Sequence, residues 1–181
     1  NTKIENQTTE NAQDLITVEI NDTEISRKYA ARIVKNVKIG ESPKWLKERL
    51  ESIGLRSINN VVDISNFVLM ELNHPIHTFD YNKIQGNKVI VRRAKENEKV
   101  VTLDDQEREL TSEDIIISDA NRVVAIAGVM GAANSEVDEN TTNILIEVAH
   151  FEPTLIRKTS KKLTLSSDAS YRFERGVDLE D

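Results

Sequence analysis

Between residues 88 and 148 the sequence runs as a succession of short β-rich segments, and nothing else in it narrows the fold as much. KVIVRRA (Lys88 to Ala94), Lys99 to Leu103, Ile115 to Ser118, Val123 to Gly128 and Asn143 to Val148 are dominated by branched and apolar residues. Turn chemistry at Gly86-Asn87, Asp104-Asp105, Asp119-Ala120-Asn121 and Asn140 separates them. Several are apolar throughout, as strands covered on both faces are. Leu15 to Ile20 alternates weakly and reads as one short strand. YAARIVKNVKI (Tyr29 to Ile39), ended by Gly40, is expected to cross the sheet. The expected fold class is α+β, with a mixed sheet or two stacked sheets, mixed or antiparallel, and helices packed on an outer face in a layered β/β/α arrangement.

The helices announce themselves by their ends. Ser42 is expected to cap a helix with Pro43 at its first position, Leu46, Leu50 and Ile53 inward, and Gly54 as a left-handed stop before Leu55. Trp45 on that helix reads as packing, with a stacking platform as the alternative. From Asn59 to Asp80, NNVVDISNFVLMELNHPIHTFD begins as an amphipathic helix with Asn60 as cap and Val61, Ile64, Val68 and Leu72 in a row, then breaks at Asn73 and Pro75. Pro153 opens a basic helix, PTLIRKTSKKL, and Ser167 opens a last one through Tyr171 to Arg175, stopped by Gly176.

The 181 residues fit one domain. Residues 1–24 read as a linker or the remnant of a preceding segment, and 25–181 as a single unit. With no apolar run near the roughly 20 residues of a membrane span and no cysteine, the chain is expected to be soluble and cytoplasmic, with no membrane partner. The net charge of −7 argues against tight binding of nucleic acid, but residues 1–24 hold six acids against one lysine, so the remainder is nearly balanced. Arg157, Lys158, Lys161 and Lys162 form the best basic patch. It reads either as a contact for RNA phosphates or as a solvated helix face.

The break after the central helix brings a polar pair, Ser65 and Asn66, and an imidazole, His77, to a corner able to face a ligand. His74, His77 and Asp80 do not read as metal ligands, because Pro75 forbids the helical spacing that would bring the imidazoles together. Gly128 and Gly131 flank Val129-Met130 after an apolar strand, where glycines let the backbone approach a ligand and aim N–H groups at a carbonyl oxygen. Glu147 is a carboxylate in an otherwise apolar strand, ILIEVAHF. Alternation with Asn143 and Leu145 leaves it pointing either to solvent or into a pocket. Arg172, Glu174 and Arg175 read as a structural ion-pair network. No Ser-His-Asp or Cys-His arrangement is present, and Ser65 has no evident base.

Three blocks carry a resemblance: INNVVDISNFVLMELNHPIHTFD, AGVMG with SEV behind it (Ala127 to Gly131, Ser135 to Val137), and DASYRFERGVD (Asp168 to Asp178). In order and spacing they resemble the editing (B3/B4) domain of the β subunit of bacterial phenylalanyl-tRNA synthetase, over about residues 25 to 181. The resemblance implies that Glu147 recognises the para-hydroxyl of tyrosine and that His77 is functional at a site without a metal. It further implies that the AGVMG loop lines the pocket, that Ala169 leaves room in it, and that Ser167 supplies a hydroxyl nearby. Ala132 stands where the family usually has a second glycine. The implied activity is hydrolysis of tyrosine wrongly esterified to tRNA(Phe), by a water positioned with His77, Asn66 and the Gly128 to Gly131 backbone. The implied partners are the tRNA acceptor end and a separate α subunit in a two-α, two-β assembly, with ATP and magnesium needed only by the whole synthetase and no cofactor in this domain. The chain then reads as an excised piece of such a subunit. A non-catalytic structural or tRNA-docking module and a free-standing trans-acting deacylase are the alternatives.

Overall fold

The computed structural model describes residues 10–178; of the linker or remnant expected over residues 1–24, residues 1–9 lie outside them. In chain order the described elements are α1 (Ala12–Leu15), β1 (Thr17–Ile20), β2 (Lys28–Lys35), α2 (Lys44–Ser52), α3 (Asn60–Leu72), β3 (Ile76–Asp80), β4 (Lys88–Arg93), β5 (Glu98–Val101), β6 (Glu107–Leu110), β7 (Ile115–Ser118), β8 (Val123–Ile126), β9 (Met130–Gly131), β10 (Asn143–His150), α4 (Pro153–Leu163) and α5 (Asp168–Phe173). The fold is α+β, with mixed and antiparallel sheets, as the strand-rich middle predicts. None of the described helices is long and apolar enough to cross a membrane.

Three sheets form. A five-stranded sheet runs β1-β4-β7-β8-β9, with β1 parallel to β4 and the remaining pairs antiparallel. A three-stranded antiparallel sheet runs β2-β10-β3, and β5 pairs with β6 as a hairpin. β7 and β8 are buried at every position, consistent with apolar runs covered on both faces. One core joins the sheets: Val89, Val91, Ile115, Ile117 and Ala125 from the larger, Phe79, Leu145 and Ala149 from the smaller, closed at one end by Phe151, Ile156 and Phe173.

The helix that leads into β3 is set by two side-chain hubs. Asn59, not Asn60, is the cap of α3, its carboxamide oxygen accepting from the Val61 and Val62 amides at 3.1 and 3.0 Å. Asn60 instead bridges the Gly40 amide and the Lys38 carbonyl. Asp63 is fully buried and accepts from Ser42, Ser57 and the Ile58 amide, so the Ser42 hydroxyl expected to cap α2 is drawn across to α3. Apolar periodicity misplaces part of these two helices: Ile53, Ile64 and Leu72 are exposed, while Leu46, Leu50, Val61 and Leu69 are inward. Trp45 stays half exposed but packs edge-on against Phe67, ring centroids 5.6 Å apart. The stops are as expected: Gly54 has φ +85°, Asn73 ends α3 at φ 57°, and Pro75 follows. β2 stops earlier than Gly40, at Asn36, whose φ is 58°. Neither α1 nor β6 is apparent in the hydropathy pattern, and β6 exists because it pairs with β5.

Candidate functional site

The site is built where the two larger sheets face each other. Side chains alternate along a strand, so Leu145, Glu147 and Ala149 of β10 share one face, and all three are buried. β10 is the central strand of its sheet, and the face carrying Glu147 is the one the five-stranded sheet covers. Of the two orientations open to the sequence, the inward one is adopted, and Glu147 is only 6% exposed. Directly opposite it in the ladder stands His77, and Ala31 of β2 lies on its other side. The His77 ring rests edge-on against Phe79, centroids 4.5 Å apart, which fixes its plane.

The facing wall is the turn after β8. Gly128 has φ +66°, a conformation that favours glycine, and a methyl there would come within 2.9 Å of the Phe173 ring. Gly131 is needed for a different reason: a methyl there would lie 2.8 Å from both Cε1 and Nε2 of His77. The two glycines thus let the turn close against α5 on one side and against the imidazole on the other. Ser167 caps α5 by accepting from the Ser170 amide at 3.0 Å and donates to the Val129 carbonyl at 2.9 Å, fastening the helix start to the turn. Ala132 is buried in an extended conformation (φ −92°, ψ 146°), so no glycine is required there.

Between these walls lies a cavity of about 80 Å³ bordered by His77, Gly128, Gly131, Glu147, Ala169 and Phe173, with Pro75, Ile76, Ile117, Ala125, Ile126, Val129 and Met130 completing it. Of the eight residues that sequence reading assigns to catalysis and substrate binding, His77, Gly128, Gly131, Glu147 and Ala169 come together here. Ser167 acts one step out, through Val129. Ser65 and Asn66 sit in α3 and do not border the cavity, and the Ser65 hydroxyl donates back to the Val61 carbonyl at 3.1 Å. His74 and His77 part ways. His74 borders a second cavity, of about 300 Å³, together with Val148 and His150, on the opposite face of β10. Asp80 is taken up by the Asn82 amide and the Thr141 hydroxyl.

Tyr29 is the residue that sequence reading missed. It lies on β2 opposite Ala149, two positions along from Glu147 on the same face, and its hydroxyl donates to Glu147 Oε2 at 2.8 Å. Such diagonal neighbours are within reach of an aromatic side chain, but the sequence separates the two by 118 residues. Burial pushes the Glu147 carboxyl up to about 7, although the Tyr29 hydrogen bond pulls the other way. Burial also drives the Tyr29 phenol well above its ordinary value, with the charge of Glu147 and their hydrogen bond adding to it. His77 is pushed down to about 4, again by burial, so it is a neutral imidazole at neutral pH. The site therefore pairs a neutral imidazole with a carboxyl group that titrates near neutrality.

The B3/4 domain family model matches residues 25–181. The chain belongs to the B3/4 domain family. This B3/4 domain is 52% identical over 163 residues to the phenylalanine–tRNA ligase beta subunit of Protochlamydia amoebophila, covering 90% of this chain and 20% of that protein. It is 54% identical over 166 residues to the subunit of the same name from Moorella thermoacetica, covering 92% and 21%. The chain spans about a fifth of the length of these relatives. An N-terminal fragment of the phenylalanyl-tRNA synthetase beta subunit from Pyrococcus horikoshii shares the fold, with a TM-score of 0.57 at 14% identity over 82% of this chain and 48% of that one.

The charged residues near the end of the B3/4 domain are largely engaged. Arg172 binds Asp168 and donates to Asn73 Oδ1 at 2.9 Å, tying α5 to the end of α3. Arg175 lies 3.5 Å over the Tyr171 ring and pairs with Glu174. In the basic patch, Lys162 binds the buried Asp114 and the Thr111 hydroxyl, and Lys158 lies 3.9 Å from Glu113. Arg157 and Lys161 are exposed on α4.

Proposed function

We propose that this domain hydrolyses the ester joining tyrosine to tRNA(Phe), as the editing module of a phenylalanyl-tRNA synthetase β subunit. The observation that carries the reading is Glu147, a carboxylate held inside an otherwise apolar cavity beside His77 and the glycine turn. An apolar synthetic pocket shaped for phenylalanine rejects an added hydroxyl by only roughly a hundredfold, so a second site that demands the hydroxyl removes the error. A buried carboxylate is such a demand. It accepts a charge-assisted hydrogen bond from a phenol. Phenylalanine would leave the oxygen not bonded to Tyr29 dry and unpaired, at a cost of about 1–3 kcal/mol, equivalent to roughly 10- to 100-fold in rate.

Chemistry then needs orientation more than strong base. An aminoacyl ester is already activated, and His77, neutral at neutral pH, suits holding a water against the carbonyl better than taking its proton. The Gly128 to Gly131 backbone borders the cavity and is the remaining candidate for orienting the ester, whereas Asn66 stands outside it. Ser65, back-bonded within its helix, is a poor nucleophile. The reading needs no metal or cofactor in this domain. It takes the tRNA acceptor end as partner, with Arg157 and Lys161 the basic side chains best placed for phosphates and Lys158 and Lys162 already paired. An α subunit would carry amino-acid activation.

Deacylation of tyrosyl-tRNA and phenylalanyl-tRNA tests the proposal. Glu147→Ala should reduce preference for the tyrosyl ester roughly 10- to 100-fold, and His77→Ala should slow cleavage of both esters. Unchanged selectivity in Glu147→Ala would remove its assigned role. No ester cleavage by the wild type would leave a non-catalytic docking module as the better account.

A further inference from the structure

Glu147 offers two oxygens, and the protein itself already supplies a phenol to one of them. Tyr29 donates to Oε2 at 2.8 Å, whereas Oε1 has no hydrogen-bond partner among the described residues. We infer that Tyr29 is a positioning residue that determines specificity: by occupying Oε2 it fixes the orientation of the Glu147 carboxyl group and leaves Oε1 as the single acceptor for the phenol of the bound tyrosyl group. The inference rests on the editing reading of Glu147 and deepens it.

An ionised carboxylate only accepts. Tyr29 satisfies one oxygen, and a tyrosyl phenol completes the set; a phenylalanyl ring leaves Oε1 bare. A protonated Glu147 makes only a weaker, neutral hydrogen bond to the same phenol, so selectivity follows the ionised fraction. Donation by Tyr29 favours the ionised form, which matters because burial places this titration near neutrality. Tyr29 from β2 and His77 from β3 are the ionisable groups that face Glu147. The glycine turn, Ile117 and Ala125 of the larger sheet, and Ala169 and Phe173 of α5 bring none. His77 is neutral across the relevant range, so the titration belongs to Glu147.

The experiment measures tyrosyl- and phenylalanyl-tRNA deacylation from about pH 5.5 to about pH 8.5, on the protein as its gene encodes it with any subunit that co-purifies. Wild-type preference for tyrosine should rise with pH through a midpoint near 7. Tyr29→Phe keeps the ring and should move that midpoint up by roughly one unit, lowering preference at neutral pH by up to roughly tenfold. 3-Fluorotyrosine at position 29, a more acidic donor of nearly the same shape, should move it down, and decides the matter if Tyr29→Phe does not fold. In Glu147→Gln the midpoint should vanish, and adding Tyr29→Phe should then change nothing in the pH profile. A folded Tyr29→Phe with wild-type midpoint and selectivity would overturn the role of Tyr29 while leaving editing intact. A wild type that cleaves both esters equally at every pH would overturn both.

Discussion

Replacing Gly131 by alanine is the sharpest test of how the glycine turn serves the site. The added methyl would sit 2.8 Å from Cε1 and Nε2 of His77 and 3.2 Å from Leu103 Cδ1. Carbon atoms in ordinary contact stand about 3.5–4.0 Å apart, so one side must retreat by roughly 0.7 Å or more. Leu103 is partly exposed and yields easily; His77 does not, because its ring is braced against the fully buried Phe79. Gly131 is not in the left-handed region, so the backbone accepts alanine and the unfolded chain even loses some freedom, worth about 0.4–1 kcal/mol. Overpacking of a tight interior costs about 1–3 kcal/mol, and the net expectation is a loss of about 1–2 kcal/mol. For a domain of this size that lowers Tm by roughly 2–8 °C. The effect on chemistry should be much larger, since a displacement near 1 Å costs on the order of a hundredfold where catalysis depends on positioning. Thermal unfolding and single-turnover deacylation of tyrosyl-tRNA measure the two effects separately. Adding Leu103→Ala should recover little, because that contact was not the rigid one. A Gly131→Ala protein with the wild-type rate would refute the idea that this turn holds His77 in a working position.

Gly128→Ala should destabilise more than Gly131→Ala and act on the fold rather than the chemistry, combining a left-handed φ worth about 1–2 kcal/mol with contacts of 2.9–3.3 Å to Phe173, Ile156 and Phe151; equal Tm losses for the two variants would contradict this. Glu147 should make stability depend on pH in an unusual direction. Its folded value near 7 lies above the ordinary 4.5, so between those limits the folded protein holds a proton that the unfolded chain has released, and stability falls as pH rises through that window. Glu147→Gln removes the term and should gain on the wild type by up to roughly 3 kcal/mol between its low-pH and high-pH ends. Denaturant unfolding at about pH 5 and about pH 8 measures it, and a constant difference between the two proteins would refute it. His77 contributes with the opposite sign. Its value is lowered to about 4, so its stabilising part is complete above about 6.5 and lost as pH falls, and in the Glu147 comparison it cancels.

Local signals in the sequence proved reliable where they have a local cause. Pro153 starts α4 and Gly54 ends α2 because each fixes or frees a backbone angle without help from elsewhere. Asn73 and Pro75 break the chain between α3 and β3 in the same way. Ile115 to Ser118 is a strand to the residue because turn chemistry brackets an apolar run. Side chains with two possible partners mislead. Ser42 looks like a cap until Asp63 is folded beside it, and Asn59 rather than Asn60 reaches the free amides of α3. The row Val61, Ile64, Val68 and Leu72 has helical spacing, but only Val61 is fully covered, because periodicity records a face and not what is packed against it.

The candidate site divides along the same line. The sequence by itself determined that Glu147 shares a strand face with Leu145 and Ala149, that the chain turns tightly at Gly128 to Gly131, and that His77 follows a helix break, since strand alternation, glycine backbone freedom and proline sterics are all local. Tertiary structure decided that the face of Glu147 is the covered one, that His77 falls opposite it in the ladder, and that Tyr29 meets it from 118 residues away. Burial is a property of the assembled sheets, and it is burial that lifts one carboxyl group to about 7 and holds one imidazole near 4. A chain supplies ionisable groups at fixed positions, but only packing sets the dielectric and the neighbours that decide which of them are charged.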